Sequence, residues 1–300
     1  MTKKLLILAL ITLASNYGTY LQAQARITKL PAKLKTSLNA YSFNTQLAVE
    51  KTMDIDGLLE YCASRDIDAV DITAYYFPAY PAVPSDEFLH ELKKKAFSLG
   101  VEISGTGVRN DFTDPDPKKR RESVELVKNW IVAAEKMGAP VIRIFSGDSD
   151  VSKYTREEVT DWLVADIKEC VAFGKEHGVV VAIQNHHDFI ANADDAIDII
   201  KKVDSEWFGL ILDTGSYWEG DSYAQIEKTV EYAVNWQVKK MVYMDGKEER
   251  ADLERIFRII KDSGYRGYVP IEIIAKGDPI PMVDEFMGRI KKTIGKISKD

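Results

Sequence analysis

The sequence is short of cysteine, of positive charge and of long apolar runs, and each shortage argues against a class of protein. Two cysteines in 300 residues, Cys62 and Cys170, cannot build a disulfide framework. They also stand in no CxxC or Cys/His spacing that would hold zinc, so they read as small buried apolar side chains. Forty basic residues against 47 acidic ones give a formal charge of −7. Without a basic excess to hold a phosphate backbone, the chain is a poor partner for nucleic acid. No window is apolar over the roughly 20 residues that a bilayer crossing takes.

What is present describes a soluble globular chain, 45% hydrophobic and 29% charged, long enough for one large domain. The first 25 residues read as an address. Lys3 and Lys4 precede an apolar run over 5–14, and Ala23-Gln24-Ala25 offers a small-x-small cleavage pattern, so a secretory signal peptide ending at Ala25 is expected. The run covers only about half of a membrane span, and no cysteine follows it for a lipid anchor. Without Lys3 and Lys4 the 47 acids face 38 bases, a mature charge of −9. The expected location is a periplasm or the cell exterior.

From there the chain alternates short apolar runs with amphipathic stretches. Strands are expected at 36–43, 69–72, 102–106, 141–145, 179–185, 209–213, 235–238 and 269–273. Helices are expected at 56–65, 86–99, 117–137, 155–177, 192–203, 222–232, 251–263 and 279–297. Gly100, Gly138, Gly178 and Gly264 stand where a helix must end in a left-handed turn. Asp86, Thr155 and Ser222 read as N-caps, and Pro117 suits a first helical position. Eight such units in about 265 residues, with no linker, predict an α/β fold: a single (β/α)8 TIM barrel domain over 26–300. An open doubly wound sheet would want a Gly-rich phosphate fingerprint after its first strand, and none is there.

A barrel confines chemistry to the carboxyl ends of its strands and the loops beyond them. Polar residues concentrate at those ends: Ser42-Phe43-Asn44, Asp71, Arg109-Asn110-Asp111, Arg143, the run from Gln184 to Asp188, Asp213, Gln237 with Lys239, and Glu272. Because side chains alternate along a strand, Gln184 and His186 point into the pocket together and His187 points away. His186 is a candidate acid or, equally, a hydrogen-bonding support for its loop. Lys239 and Arg143 pair with a substrate oxygen or act as counter-charges, and Arg109 and Asp111 contact substrate or bridge their own loop. Aromatics crowd the rim, and their flat faces suit the C–H side of a sugar ring. Trp218 and Tyr76 are expected in the pocket, whereas Tyr41 is expected to pack in the barrel wall.

Gln184-Asn185-His186, Leu212-Asp213, Trp236-Gln237-Val238-Lys239 and Ile271-Glu272 fall on the last four expected strands, with 29, 24 and 35 residues between Gln184, Asp213, Gln237 and Glu272. In this the chain resembles the xylose isomerase-like TIM barrels, also called sugar phosphate isomerase/epimerase or AP endonuclease family 2, over essentially its whole mature length. The resemblance implies a metal site at Gln184, Asp213, Gln237 and Glu272. Gln184 stands where the family usually has a glutamate, and Gln237 where it usually has a histidine. The resulting all-oxygen set, of charge −2, suits manganese, magnesium or calcium better than zinc. The other reading is that both amides hydrogen-bond substrate and metal binding is lost.

The family's chemistry, removal of a proton beside a carbonyl, would fall to Glu272, His186 and Lys239 here. Epimerisation wants an acid or base on each face of the ring, and an amide at Gln184 cannot supply one; elimination needs one base and one acid. An exported barrel is also expected to act on an unphosphorylated sugar. Secreted barrels similar to this one include lyases that split 3-keto-glycosides, so a 3-keto-glycoside 1,2-lyase is the first expectation, fed by an upstream sugar dehydrogenase. A sugar isomerase or epimerase and a sugar-binding protein without catalysis are the alternatives.

Overall fold

The computed structural model describes residues 33–274 and 276–298; the expected signal peptide lies outside the described residues. Eight parallel strands form the barrel. They are β1 (Leu34–Asn39), β2 (Ala69–Thr73), β3 (Glu102–Gly107), β4 (Val141–Ile144), β5 (Val180–Gln184), β6 (Phe208–Asp213), β7 (Ala233–Gln237) and, after a hairpin, β10 (Gly267–Ile271). β10 pairs in parallel with β1 along its whole length. On its other side it meets the chain leaving β7, where Val238 N donates to Pro270 O and Glu272 N donates to Val238 O. The sheet is thereby nearly closed.

Eight helices surround it: α1 (Ile55–Ser64), α2 (Asp86–Leu99), α3 (Pro117–Met137), α4 (Arg156–Glu176), α5 (Ala193–Val203), α6 (Ser222–Thr229), α7 (Leu253–Asp262) and α8 (Pro279–Ile297). Strand alternation separates two interiors. Outward-facing Ile142, Ile144, Val181, Ile183, Leu210, Leu212 and Trp236 join the large apolar core beneath the helices. Inward-facing Val141, Ala182 and Ile211 make a small separate cluster inside the barrel. One pleat repeat further along these three strands come Arg143, Gln184 and Asp213, so the site lies directly above that plug.

Gly100, Gly138, Gly178 and Gly264 all have positive φ after their helices, as expected. Thr155 caps α4 with a complete capping box, and Pro117 opens α3 behind Asp116. Two expected caps move by one residue. Ser85 Oγ accepts from Phe88 N, making Asp86 the first helical residue, and Asp221 rather than Ser222 caps α6. The first strand stops at Asn39, not 43, because its side chain accepts Tyr41 N and turns the chain into a 3-10 helix at Ala40–Phe43 and a π turn at Thr45–Val49. A two-stranded hairpin, β8 (Met241–Met244) with β9 (Lys247–Arg250), was not expected in the loop after β7. Asp245 and Gly246, both at positive φ, make its tight turn.

Candidate functional site

A cavity of about 1000 Å³ opens at the carboxyl ends of the strands, where a barrel carries its chemistry. Gln184, Gln237 and Glu272 line its floor, and Asp213 lies fully buried beside them. Gln184 Nε2 donates to Asp213 Oδ2 at 2.9 Å, which leaves the amide oxygen of Gln184 as its remaining acceptor. Asp213 is fixed from behind as well: its backbone N–H donates to Asn185 Oδ1 at 2.8 Å and its carbonyl accepts from Asn185 Nδ2 at 2.9 Å. Lys239 completes the floor. Its ammonium contacts Glu272 Oε2 directly and stands 3.5 Å from Asp213 Oδ2. Gly215 makes room for that lysine, since a Cβ there would lie 2.7 Å from Lys239 Cγ. Burial lowers the pKa of Lys239, against the pull of Asp213.

The loop after β5 follows the alternation read from the sequence. Gln184, His186 and Asp188 all line the cavity, while Asn185 is spent on Asp213 and His187 turns out with φ of 56°. The His186 ring packs on Phe145 with centroids 4.5 Å apart. Desolvation in the cavity holds its imidazole below the ordinary histidine range, against the neighbouring Asp213 and Asp188 carboxylates. Asp188 Oδ1 accepts from Ser146 Oγ at 2.6 Å, and burial raises its pKa. Sequence reasoning placed Asp188 in the polar run at this strand end but gave it no role.

Arg143 donates to Val108 O at 2.7 Å and to the Tyr75 hydroxyl at 3.2 Å, with its guanidinium 3.8 Å from the Phe145 centroid. It is held by backbone and aromatic partners. Below it, Asp71 is buried in the middle of β2, and burial, opposed by Arg143, pushes its pKa up to about 6. Arg109 lines the cavity with its guanidinium over the Tyr75 ring.

Asp111 lines the cavity too and at the same time bridges its loop: Oδ1 accepts from Thr113 N and Oγ1, and Oδ2 accepts from Ser149 Oγ. Three expectations need correction. Tyr75, not Tyr76, lines the cavity. Both sit on the 3-10 turn Ala74–Tyr76, where successive side chains diverge by about 120° and only one can face the mouth; Tyr76 instead donates to Asn44 Oδ1 at 2.9 Å. Trp218 lies outside the cavity lining, 42% exposed, stacked on His187 with centroids 3.6 Å apart. Tyr41, expected in the wall, is part of the lining.

Two carboxylates and two amide side chains at one cavity floor form an all-oxygen donor set compatible with a hard divalent cation. The Lys239 ammonium against Asp213 and Glu272 marks where this floor accepts positive charge. Among the described residues no cluster of three His, Cys, Asp or Glu side chains suits a metal, so the amides are required members of any such set.

The family model for the xylose isomerase-like TIM barrel matches residues 59–293, and the chain belongs to that family. Among solved structures it is similar to D-psicose 3-epimerase from Clostridium cellulolyticum H10, at 19% identity over 84% of this chain and 89% of that one, with a TM-score of 0.68. It is similar to 3-keto-D-glucoside 4-epimerase from E. coli, at 12% identity over 87% and 99%, TM-score 0.68. It is also similar to the IOLI protein, solved with a bound zinc atom, at 18% identity over 88% and 98%, TM-score 0.68. At these identities the likeness concerns the fold. No curated protein matches the sequence.

Proposed function

We propose that this protein is an exported enzyme that removes the proton beside a sugar ketone, and that it acts as a 3-keto-glycoside 1,2-lyase. The observation that carries the reading is the floor of the cavity. Glu272 is a carboxylate beside a buried ammonium, and Gln184, lining the same cavity, is an amide that cannot take up a proton. One base faces a wall that also holds two titratable side chains, His186 and Asp188. That inventory supports elimination better than a two-base epimerisation.

The ketone at carbon 3 acidifies the C2–H bond. Glu272 takes that proton, the C–H electron pair becomes the C1=C2 double bond, and the C1–O bond breaks. The departing oxygen receives a proton from the His186 and Asp188 side of the cavity. Substrate gives an unsaturated ketone and the free aglycone, with no redox change. Lys239 stabilises the negative charge that develops on the ketone oxygen as the C2 proton leaves. Gln184, Asp213, Gln237 and Glu272 would hold a divalent cation, which when bound supplies a Lewis acid toward the same oxygen. Arg109, Tyr75 and Tyr41 bind the ring from the upper wall. The ketone must come from a dehydrogenase that oxidises carbon 3 beforehand. The basic and apolar start of the chain, with its Ala23-Gln24-Ala25 site, supports export.

A second reading, isomerisation or epimerisation of an unphosphorylated sugar, is favoured by the names of the similar structures, which include two sugar epimerases. Incubation of a 3-keto-glucoside in deuterated water separates the two. Elimination yields an enone seen by its ultraviolet absorbance, whereas epimerisation yields an intact sugar one mass unit heavier.

A further inference from the structure

A second cavity, of about 520 Å³, opens between the loop after β4 and the loop after β5. Gly147, Asp148 and Asp188 line both cavities, so the two spaces meet along one wall. We propose that this second cavity is the leaving-group subsite and that it takes an uncharged aromatic or sugar aglycone; the proposal rests on the elimination reading above.

Position is the first argument. In an elimination the bond that breaks must lie between the space holding the ring and the space holding the group that leaves. The wall shared here carries Asp188, next to the side of the reaction cavity that His186 lines. A glycosidic oxygen passing from one cavity to the other therefore runs along the polar wall that Asp188 forms. The volume falls within the usual range for small-molecule sites, roughly 300 to 1,000 Å³.

The lining sets the chemistry of the occupant. Tyr154, 42% exposed, and the half-buried Phe189 contribute aromatic surface. The one cation, Arg156, is already neutralised: it lies 4.2 Å over the Phe189 ring, 2.7 Å from Asp195 Oδ1, and donates to Phe189 O. Asp148 adds a carboxylate at the junction. An anionic leaving group would find repulsion and no free positive partner, while a neutral ring finds apolar faces.

The cavity is also preformed. Gly147 has φ of 133°, and a Cβ there would collide with Asp111 and Thr113. Asp111, bonded to Thr113 and Ser149, ties the loops after β3 and β4 together, and Tyr154 is wedged edge-on against Trp162 at 5.2 Å.

The test compares the mature enzyme on methyl 3-keto-glucoside and on the 4-methylumbelliferyl 3-keto-glucoside, following enone formation, with Val151→Trp to fill the cavity and Tyr154→Ala to remove one aromatic face. Of the two cavities, Val151 lines only the second. The ratio of kcat/KM for the aryl over the methyl substrate is expected to fall at least tenfold in V151W, through KM, and in the same direction in Y154A. A ratio within twofold of the wild type in both variants overturns the proposal. If neither substrate gives an enone, the elimination reading fails and the subsite is judged separately, by fluorescence titration with free 4-methylumbelliferone. Binding lost in V151W then upholds an uncharged aromatic site, and binding that is absent from the wild type or persists in V151W overturns it.

Discussion

The Lys239 ammonium contacts the Glu272 carboxylate and stands 3.5 Å from Asp213 Oδ2, so one buried cation serves two buried acids. Removing one partner of such a set leaves charge uncompensated, at a cost of about 3 to 5 kcal/mol. Lys239→Met is therefore expected to lower the melting temperature markedly in the presence of a chelator. Millimolar magnesium or manganese should restore part of the loss, because the oxygen donors then take a metal in place of the ammonium. Calorimetry checks both; an unchanged melting temperature in chelator would contradict the ion-pair account.

Glu272 is the base of the proposed reaction. Glu272→Gln keeps the shape and removes the proton acceptor, so enone formation is expected to fall by about 10² to 10⁴. Exchange of the C2 hydrogen with deuterated solvent should fall in step. Should exchange persist at the wild-type rate, the base is another group.

Asp71 lies beneath Arg143 with its pKa raised from 3.8 to about 6 by burial, Arg143 opposing. Between those values the native state holds a proton that the unfolded chain has released, so stability falls as pH rises through that window and stays lower above it. A displacement of about two units corresponds to about 3 kcal/mol. Asp71→Asn is expected to raise the melting temperature at pH 7.5 and to lose that advantage toward pH 4. Melting curves across that range check it, and an advantage that grows toward acid would reverse the sign.

Gly147 sits at φ of 133° where a Cβ would strike Asp111 and Thr113. Gly147→Ala should cost on the order of 1 to 3 kcal/mol from backbone strain alone, and loosen the wall shared by the two cavities. Denaturant unfolding measures the first; a variant as stable as the wild type would mean that the loop is not held as described.

The barrel was legible because its strands and helices carry strong periodicity and four of its helices are followed by a positive-φ glycine. The floor was legible for the same reason: alternation places Gln184 and His186 on one side of a single strand and its extension. The losses occur where local geometry departs from regular elements. Tyr76 and Tyr75 exchange roles on a 3-10 turn, whose rotation per residue differs from that of a strand. Trp218 is drawn out of the site by stacking on His187, a tertiary contact without a periodic signature. The β8–β9 hairpin did leave a signal, Asp245-Gly246 between two short runs, a turn pattern independent of the barrel's strand-helix alternation.

The central claim is that Glu272 takes the C2 proton of a 3-keto-glycoside and that the aglycone then leaves. The most direct measurement is mass spectrometry and ultraviolet absorbance on one reaction of the mature protein with methyl 3-keto-glucoside in deuterated water. The account predicts an absorbing enone and free methanol in equal amounts, both lost in Glu272→Gln. Recovery of intact glycoside carrying deuterium, with no enone, would contradict it.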